Sequence, residues 1–458
     1  MRTTACPLAS AALLFSLVAP PAYASWPHEP VVNVPLCTAS GGQDQLSAAA
    51  DGEGGAIFAW QDLRSDGGDI YVQRVGAGGS VRWTANGVAA CTAAGTQYTP
   101  QVVSDGAGGA IVAWYDLRST TYDVWAQRID STGAVRWAAN GLRLCSASGD
   151  QTGPTLVGDG AGGALVAWTD SRSGGTSDIY AQHVNAAGAL LWPATGLAVC
   201  TAAGAQNTPV AAPDSGGGMI VVWRDGRGTD IDLYAQRIDA AGNVRFGANG
   251  VGVCTATTDQ SDDVIVPDGW GGAIVAWADS RNDGSFDVYA QHLGAAGSTT
   301  WTTTGVPVCV QPWDQDQIAM TSDGAGGALI TWRDWRQYSF AQVYGQHVTA
   351  EGLPDWYAAS GVQLSSAASS AQFPAIAPDG TGGAFVTWQD SRAASLDLYG
   401  ARLEGPGLTQ RTAQGDPICT AAGDQQHPAM AADLSGGAIV AWADLRSGTA
   451  CQRRPGVL

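Results

Sequence analysis

The sequence predicts an all-β protein, an eight-bladed β-propeller made of four-stranded antiparallel blades. The first observation behind this prediction is a pattern, W-x-D-x-R, that recurs every 54 to 56 residues. A period of this kind is typical of repeat architectures, in which each unit buries its apolar face only by stacking on its neighbours. The second observation is that each period holds short β-rich runs and no run with helical spacing. The eight copies begin at Trp60, Trp114, Trp168, Trp223, Trp277, Trp332, Trp388 and Trp442.

The four strands of one blade are visible in the second copy. Residues 101–104 form a short apolar run that ends in a glycine-rich turn at Asp105, whose side chain is suited to accept hydrogen bonds from its own backbone. Residues 110–114 are continuously apolar and predict the most buried strand. Residues 123–129 alternate and predict a third strand, and residues 142–145 predict a fourth. Four short antiparallel strands are typical of a propeller blade.

The two ends of the chain predict how the ring closes. Residues 31–37 match a fourth strand. The last copy has a first strand near Ala429, a second at 438–442 and a shortened third at 450–453. We therefore expect the N-terminal strand to pair with the C-terminal blade, because that pairing would remove exposed strand edges.

The first residues have the features of a secretory signal peptide. Arg2 precedes an apolar run at 11–18, and residues 22–24 form the small-x-small cleavage pattern Ala-Tyr-Ala. The predicted domains are therefore a signal peptide at 1–24 and a single β-propeller at 25–458. The propeller would contain about eight repeats of about 54 residues, the last one incomplete.

Composition and charge restrict the location and the partners. No segment after the signal approaches ~20 uninterrupted apolar residues, which predicts that the chain does not span a membrane. The formal net charge is −19 and every basic side chain other than histidine is an arginine, which disfavours nucleic acid as a partner. The apolar content of 45%, with 18 tryptophans, is enough to build a core. We expect a bacterial protein that is secreted or periplasmic and monomeric.

The copies share one succession of motifs, which in the third copy consists of Asp159-Gly160, the apolar run 164–168, Asp170, Arg172 and Asp178-Ile179-Tyr180. This succession resembles the WD-like repeat of TolB-type β-propellers, and the resemblance extends over all eight copies. It implies a periplasmic protein-interaction scaffold. The chain is also similar to uncharacterised glycine-rich repeat proteins that bacteria export.

The Asp and Arg of each W-x-D-x-R pattern are predicted to form a structural clamp. A planar guanidinium can bridge a carboxylate and backbone carbonyls, and so fix a loop against a neighbouring blade. The alternative is a cluster of arginines that recognises carboxylates of a ligand. The clamp residues are Asp62, Arg64, Asp116, Arg118, Asp170, Arg172, Asp225, Arg227, Asp279, Arg281, Asp334, Arg336, Asp390, Arg392, Asp444 and Arg446.

Cysteine and glutamine also recur in phase with the repeat. The cysteines are predicted to be buried free thiols, because equivalent positions of neighbouring units lie too far apart for a disulfide; a metal or redox role is the alternative. The glutamines are predicted to hydrogen-bond the adjacent blade, or else to line the central channel. The cysteines are Cys37, Cys91, Cys145, Cys200, Cys254, Cys309 and Cys419, with Leu364 in the remaining copy. The glutamines are Gln43, Gln97, Gln151, Gln206, Gln260, Gln315, Gln372 and Gln425.

The sixth copy departs most from the repeat. Aromatic and acidic residues replace the usual small loop residues, and we expect them to meet on one face of the ring. Exposed rings beside carboxylates are suited to stack on sugar rings or peptide segments; the alternative is that these rings fill a gap under a longer loop. The predicted ligand-binding residues are Trp313, Asp314, Asp316, Trp335, Tyr338 and Phe340, and the second copy adds Tyr98, Tyr115 and Tyr122 in similar phase.

These observations predict an exported, non-enzymatic propeller that binds an extracellular ligand, with carbohydrate favoured, or a protein partner through its loop face. No catalytic residue, metal ligand or cofactor is assigned, because no nucleophile-base order or metal-binding spacing occurs; calcium at Asp-rich turns stays open. The alternatives are a glycoside hydrolase or polysaccharide lyase with axial Asp and Arg, and a TolB-type scaffold. Unpaired acids that converge on the channel would favour the enzyme.

Overall fold

The structure is a computed structural model, and it describes residues 30–65, 67–356, 360–365, 369–404 and 414–446, together with the backbone of 452–453 and 456–457. The predicted signal peptide at 1–24 lies outside these residues. Within them, no helix has the length and apolar character needed to cross a bilayer, which agrees with the prediction that the chain does not span a membrane. The expectation of an all-β propeller built from repeats is confirmed.

Seven blades contain four antiparallel strands that pair in chain order. The first strands are β1 (Gln43–Ala50), β5 (Gln97–Ser104), β9 (Gln151–Gly158), β13 (Gln206–Pro213), β17 (Gln260–Pro267), β21 (Gln315–Ser322) and β25 (Ala371–Pro378). The second strands are β2 (Ala56–Asp62), β6 (Ala110–Asp116), β10 (Ala164–Asp170), β14 (Met219–Asp225), β18 (Ala273–Asp279), β22 (Ala328–Asp334) and β26 (Ala384–Asp390).

The third strands are β3 (Asp69–Val75), β7 (Asp123–Ile129), β11 (Asp178–Val184), β15 (Asp232–Ile238), β19 (Asp287–Leu293), β23 (Gln342–Val348) and β27 (Asp397–Leu403). The fourth strands are β4 (Val88–Cys91), β8 (Leu142–Arg143), β12 (Leu197–Cys200), β16 (Val251–Cys254), β20 (Val306–Cys309), β24 (Val362–Gln363) and β28 (Asp416–Cys419). We number these blades 1 to 7.

The prediction of eight four-stranded blades was wrong, because only seven blades are complete in the part of the chain that the structure describes. The last copy forms a sheet from β29 (Gln425–Ala432) and β30 (Ala438–Asp444), and two short strands, β31 (Gln452–Arg453) and β32 (Gly456–Val457), both pair with β30. Two strands therefore share the third position of this sheet. The sequence explains the difference, since the residues after Arg446 lack the alternating apolar pattern of a third strand.

The predicted closure by an N-terminal strand was also wrong. Among the described residues, 31–37 form no strand of the last sheet, and only Cys37 is a bridge residue. Proline at positions 30 and 35 removes backbone donors that a ladder would need. The segment contacts the last copy in other ways: Arg446 Nη2 donates to Asn33 Oδ1 at 2.9 Å, and Leu36 is buried against Ile439. The first strands lie side by side around the ring, and β29 lies next to β1.

The core lies between blades. Each second strand is buried over nearly its whole length, because neighbouring blades cover both of its faces, and it therefore reads as a continuous apolar run. Its tryptophan is fully buried in every copy. In blade 4 the Trp223 ring covers Gly250, whose φ is +82° and whose missing Cβ would lie 2.5 Å from that ring. A side chain therefore has no room at this turn.

Candidate functional site

The W-x-D-x-R pattern forms a buried clamp, illustrated by blade 4. Asp225 is fully buried, and its Oδ2 accepts a hydrogen bond from Trp223 Nε1 at 2.7 Å. Arg227 donates to the same carboxylate through Nε at 2.9 Å and Nη2 at 2.6 Å. Nη2 also donates to the backbone oxygen of Asn249 at 2.9 Å, and the guanidinium lies 3.7 Å from the centre of the Tyr234 ring. The tryptophan and the arginine thus share one carboxylate.

The same salt bridge occurs in all eight copies. The N–O distance is 2.5 or 2.6 Å in seven copies, and Arg281 and Asp279 form the eighth pair. Burial would raise the pKa of Asp225, but hydrogen bonds from Arg227 and Trp223 lower it below the ordinary value. The Asp225 carboxylate therefore stays ionised. Because every clamp arginine lies in a salt bridge with its aspartate, these pairs leave no open arginine cluster.

The phased cysteines are buried thiols, and the structure shows no disulfide among them. Burial raises the pKa of the Cys254 thiol to about 11, and Arg281 Nη2 lies 3.1 Å from its sulfur. Leu364 is buried in the copy that lacks the cysteine. The position therefore serves as a small apolar contact between repeats.

The phased glutamines have a different role from the predicted one. Gln43 is fully buried, and its Nε2 donates to the backbone oxygen of Gly41 at 2.9 Å, within its own loop. It neither lines the channel nor binds the next blade. Gln372 is out of phase, because Ala371 occupies the glutamine position of blade 7.

Four of the predicted ligand-binding residues meet in one shallow cavity of about 430 Å³, lined by Trp313, Asp314, Trp335 and Tyr338. We call this set the aromatic patch. The Trp313 and Tyr338 rings have centroids 4.7 Å apart, and these residues are 52% and 68% exposed. The backbone of Trp335 donates to the backbone oxygen of Asp314 at 2.9 Å, and Tyr338 donates to that of Trp335 at 2.6 Å. The first bond joins the incoming loop to the loop after β22, and the second closes a turn within that later loop.

Trp313 occupies a position that is glycine in most other copies. Its φ is +67°, in the left-handed region that side chains rarely adopt. The phased glutamine two residues later places it in register with the other copies. The equivalent residues with positive φ are Gly41, Gly95, Gly149, Gly204, Thr258 and Gly423, whereas blade 7 has Ser369, which is not among the residues with positive φ.

Two predicted ligand-binding residues lie outside the aromatic patch. Asp316 forms a salt bridge with Arg333 at 2.6 Å, and Phe340 is 41% exposed. In blade 2 the Tyr98, Tyr115 and Tyr122 rings contact one another, with centroids 5.2 to 6.0 Å apart. The tyrosines therefore form a packed cluster of their own.

An acidic pair near the axis was not singled out by the sequence. Arg224 Nε donates to Asp263 Oδ1 at 2.8 Å, and Arg224 Nη2 lies 3.9 Å from Asp262 Oδ1. The Asp263 side chain is almost fully buried, and burial raises its pKa, whereas the Asp262 side chain is 42% exposed. The sequence feature that could have identified this pair is Asp263, which stands where other copies have the proline of the Gln-x-x-Pro element.

A ring of strained residues was also missed. Each first strand contains a register shift three residues into the strand, and the residue there has a φ between +44° and +58°. These bulge residues are Gln45, Thr99, Gly153, Thr208, Asp262, Gln317, Phe373 and His427. Alignment of the Gln-x-x-Pro elements identifies the position of the bulge residues. It does not reveal their left-handed conformation, because glycine, the residue typical of that conformation, occurs at this position in only one copy.

Three histidines have structural partners. His183, His292 and His347 each lie within 3.1 Å of the aspartate of their own blade's first turn. Arginine takes the same role in other copies, as in the pair of Arg237 and Asp214. Among the described residues, no group of three or more His, Cys, Asp or Glu side chains is arranged to hold a metal ion.

Comparison with known proteins yields only remote structural likeness. No protein-family model and no curated protein matches the chain. A puromycin hydrolase mutant complexed with PGG is 13% identical with a TM-score of 0.48, and the match covers 92% of this chain and 61% of that one. An α-L-arabinanase of Penicillium chrysogenum, complexed with arabinobiose, is 14% identical with a TM-score of 0.39, covering 66% and 92%. The polysaccharide lyase Uly1 is 9% identical with a TM-score of 0.43, covering 76% and 87%.

The chain thus spans about three fifths of the length of the puromycin hydrolase. At these identities and scores the likenesses carry no argument about a reaction or a ligand. The TolB-type assignment has no matching family model behind it.

Proposed function

We propose that the protein is an exported carbohydrate-binding propeller whose ligand stacks on the aromatic patch of blade 6. The observation that carries this proposal is the conformation of Trp313. A left-handed backbone costs an L-residue about 1–2 kcal/mol, and five other copies avoid this cost with glycine. Strain of this kind is concentrated at functional sites.

The chemistry of the patch suits a sugar. The Trp313 and Tyr338 rings are tilted by 45° and form two apolar surfaces of one cavity. A pyranose ring has an apolar face that packs on such rings and hydroxyl groups at its edge. Asp314 lines the same cavity, although its Oδ1 already accepts a hydrogen bond from Phe286 N at 3.0 Å. Its second oxygen is suited to accept a hydroxyl hydrogen.

The test is a glycan array with wild type and Trp313→Gly, which introduces the residue that five other copies have. We expect wild type to bind at least one glycan class, and the variant to lose about tenfold or more in affinity while its melting temperature stays equal or rises. Trp270→Ala is the matched control. Trp270 is 68% exposed in a first turn on the opposite face, where most copies have a small residue.

The control should bind as wild type does. Equal binding by Trp313→Gly, or no binding by wild type, would remove the proposal. A loss in both variants would show that any exposed tryptophan contributes to binding without specificity.

A second candidate function is that of a carbohydrate-active hydrolase or lyase, and the acidic pair near the axis favours it. A carboxyl group with a raised pKa beside a second carboxylate is the pattern of a general acid and its partner. Asp263 has the raised pKa, its Oδ2 has no hydrogen-bond partner within the described part of the chain, and Asp262 is partly exposed beside it.

This candidate is tested by incubating wild type with a panel of polysaccharides. Release of reducing ends would indicate hydrolysis, and ultraviolet absorbance of unsaturated uronates would indicate elimination. Asp263→Asn should lower either activity by about a hundredfold or more, while Asp316→Asn, in the salt bridge of blade 6, should change it little. An inactive wild-type protein would exclude the enzyme.

A further inference from the structure

A second cavity, of about 540 Å³, lies at the mouth of the ring where blades 6, 7 and 1 meet the last sheet. We call it the axial cavity. Its lining includes the bulge residues Gln45, Gln317, Phe373 and His427, together with Asp44. It shares no lining residue with the aromatic patch.

The bulge ring is asymmetric. On the opposite side of the ring the bulge residues are the small Thr99, Gly153 and Thr208, whereas four consecutive copies around the axial cavity have large side chains. The left-handed conformation costs about 1–2 kcal/mol for any residue except glycine. Blade 3 avoids this cost because its bulge residue is Gly153. Keeping a phenylalanine, with φ +53°, at such a position calls for a gain other than stability.

Hydrogen bonds between blades hold these side chains in place. Gln317 Oε1 accepts from the backbone N–H of Phe373 at 2.8 Å, and Gln45 Oε1 accepts from that of Thr99. The Phe373 and His427 rings meet edge to face, with centroids 5.2 Å apart and planes at 89°. The cavity therefore has one fixed aromatic wall.

The charge at the mouth is negative. The Asp44 side chain is 58% exposed, with Oδ1 3.6 Å from His427 Nδ1, and the Asp262 side chain on the rim is 42% exposed. Of the nearby arginines, Arg224 pairs with Asp263 and lies 3.9 Å from Asp262, and Arg333 pairs with Asp316, so none of these salt bridges involves Asp44. A cationic group is therefore favoured here over an anionic one.

We propose that the axial cavity binds a hexosamine with a free amino group. The ammonium group would pair with Asp44, and the apolar face of the sugar ring would pack on Phe373, which is 37% exposed. The volume of about 540 Å³ accommodates one or two sugar units. This site is independent of the proposed function, because it uses other residues.

The experiment is calorimetric titration of the full chain with D-glucosamine and with N-acetyl-D-glucosamine, whose amide has no charge. Wild type should bind glucosamine about tenfold or more tightly than the acetylated sugar. Asp44→Asn should abolish this preference. Phe373→Gly should weaken glucosamine binding by about tenfold while the melting temperature stays equal or rises, because strain is removed.

One control separates binding at this site from a structural effect of the substitution. Thr208→Gly makes the same kind of change at the bulge of blade 4, away from the cavity, and should bind glucosamine as wild type does. Equal binding of the two sugars by wild type, or unchanged glucosamine binding in both Asp44→Asn and Phe373→Gly, would overturn the proposal.

Discussion

Replacement of one clamp arginine should cost far more stability than replacement of an exposed arginine in the same blade. In Arg227→Ala the fully buried Asp225 loses its counter-charge, and the bond to the Asn249 carbonyl and the contact with the Tyr234 ring disappear. Breaking a buried ion pair from one side costs about 3–5 kcal/mol. Because the Arg227 side chain is 23% exposed, we expect the lower end, about 3 kcal/mol.

The matched control is Arg245→Ala. Arg245 is 55% exposed and lies 3.7 Å from Asp239, so its loss should cost no more than about 0.5–1 kcal/mol. A third variant, Arg227→Lys, keeps the charge but loses the two-pronged geometry, and should fall between the two.

The assay is equilibrium unfolding in urea followed by tryptophan fluorescence, with the midpoint and slope of each variant compared. A difference between Arg227→Ala and Arg245→Ala of less than about 0.5 kcal/mol would refute the reasoning. It would show that the hydrogen bond from Trp223 and the surrounding packing hold the loop without the arginine.

Three further predictions concern turns, acid and thiols. Gly250→Ala should destabilise the protein by about 2–4 kcal/mol, since its Cβ meets the Trp223 ring, whereas Gly269→Ala, with open space and φ +87°, should cost about 1–2 kcal/mol in urea unfolding. The pKa of Asp225 is lower in the folded state than its ordinary value of 3.8, so its ionised form stabilises the folded protein. This stabilisation is complete above pH ~3.8 and is lost as the pH falls through the folded-state pKa. Asp225→Asn should therefore show a shallower loss of stability in acid. Cys254, whose pKa burial raises to about 11, should resist alkylation at pH ~8 in the native protein and react in urea, as peptide mass spectrometry would show.

The clamp could be predicted from the sequence because its partners are neighbours in the chain. Trp223, Asp225 and Arg227 follow one another at intervals of two residues, so the end of a strand and a short loop bring them together. The alternating runs likewise predicted the strands of seven blades. The number of blades was overestimated by one, because the W-x-D-x-R pattern marks the second strand of each copy and does not show whether the third and fourth strands form. Only the residues after Arg446 and the prolines near the N-terminus decide that pairing.

The candidate sites were predicted in part. The aromatic patch could be found because Trp313 and Tyr338 break the repeat. The axial cavity could not, since Asp44, Phe373 and His427 are far apart in sequence and converge only through ring closure. The left-handed conformation of the bulge residues depends on the register shift between the first and second strands. The residue pattern of one strand does not reveal that shift.

The clamp also has a consequence for how such chains change length in evolution. The cysteine of one repeat contacts the clamp aspartate of the next at a constant separation of 25 residues, as in the pair of Cys91 and Asp116 and the pair of Cys200 and Asp225. Each repeat therefore offers its successor the same contact that it received from its predecessor. A segment of one repeat length, wherever it begins, would therefore keep these contacts between repeats intact when it is duplicated or deleted. Blade number in this chain therefore depends on the number of copies, and the copies differ mainly at the loop and bulge positions that line the two cavities.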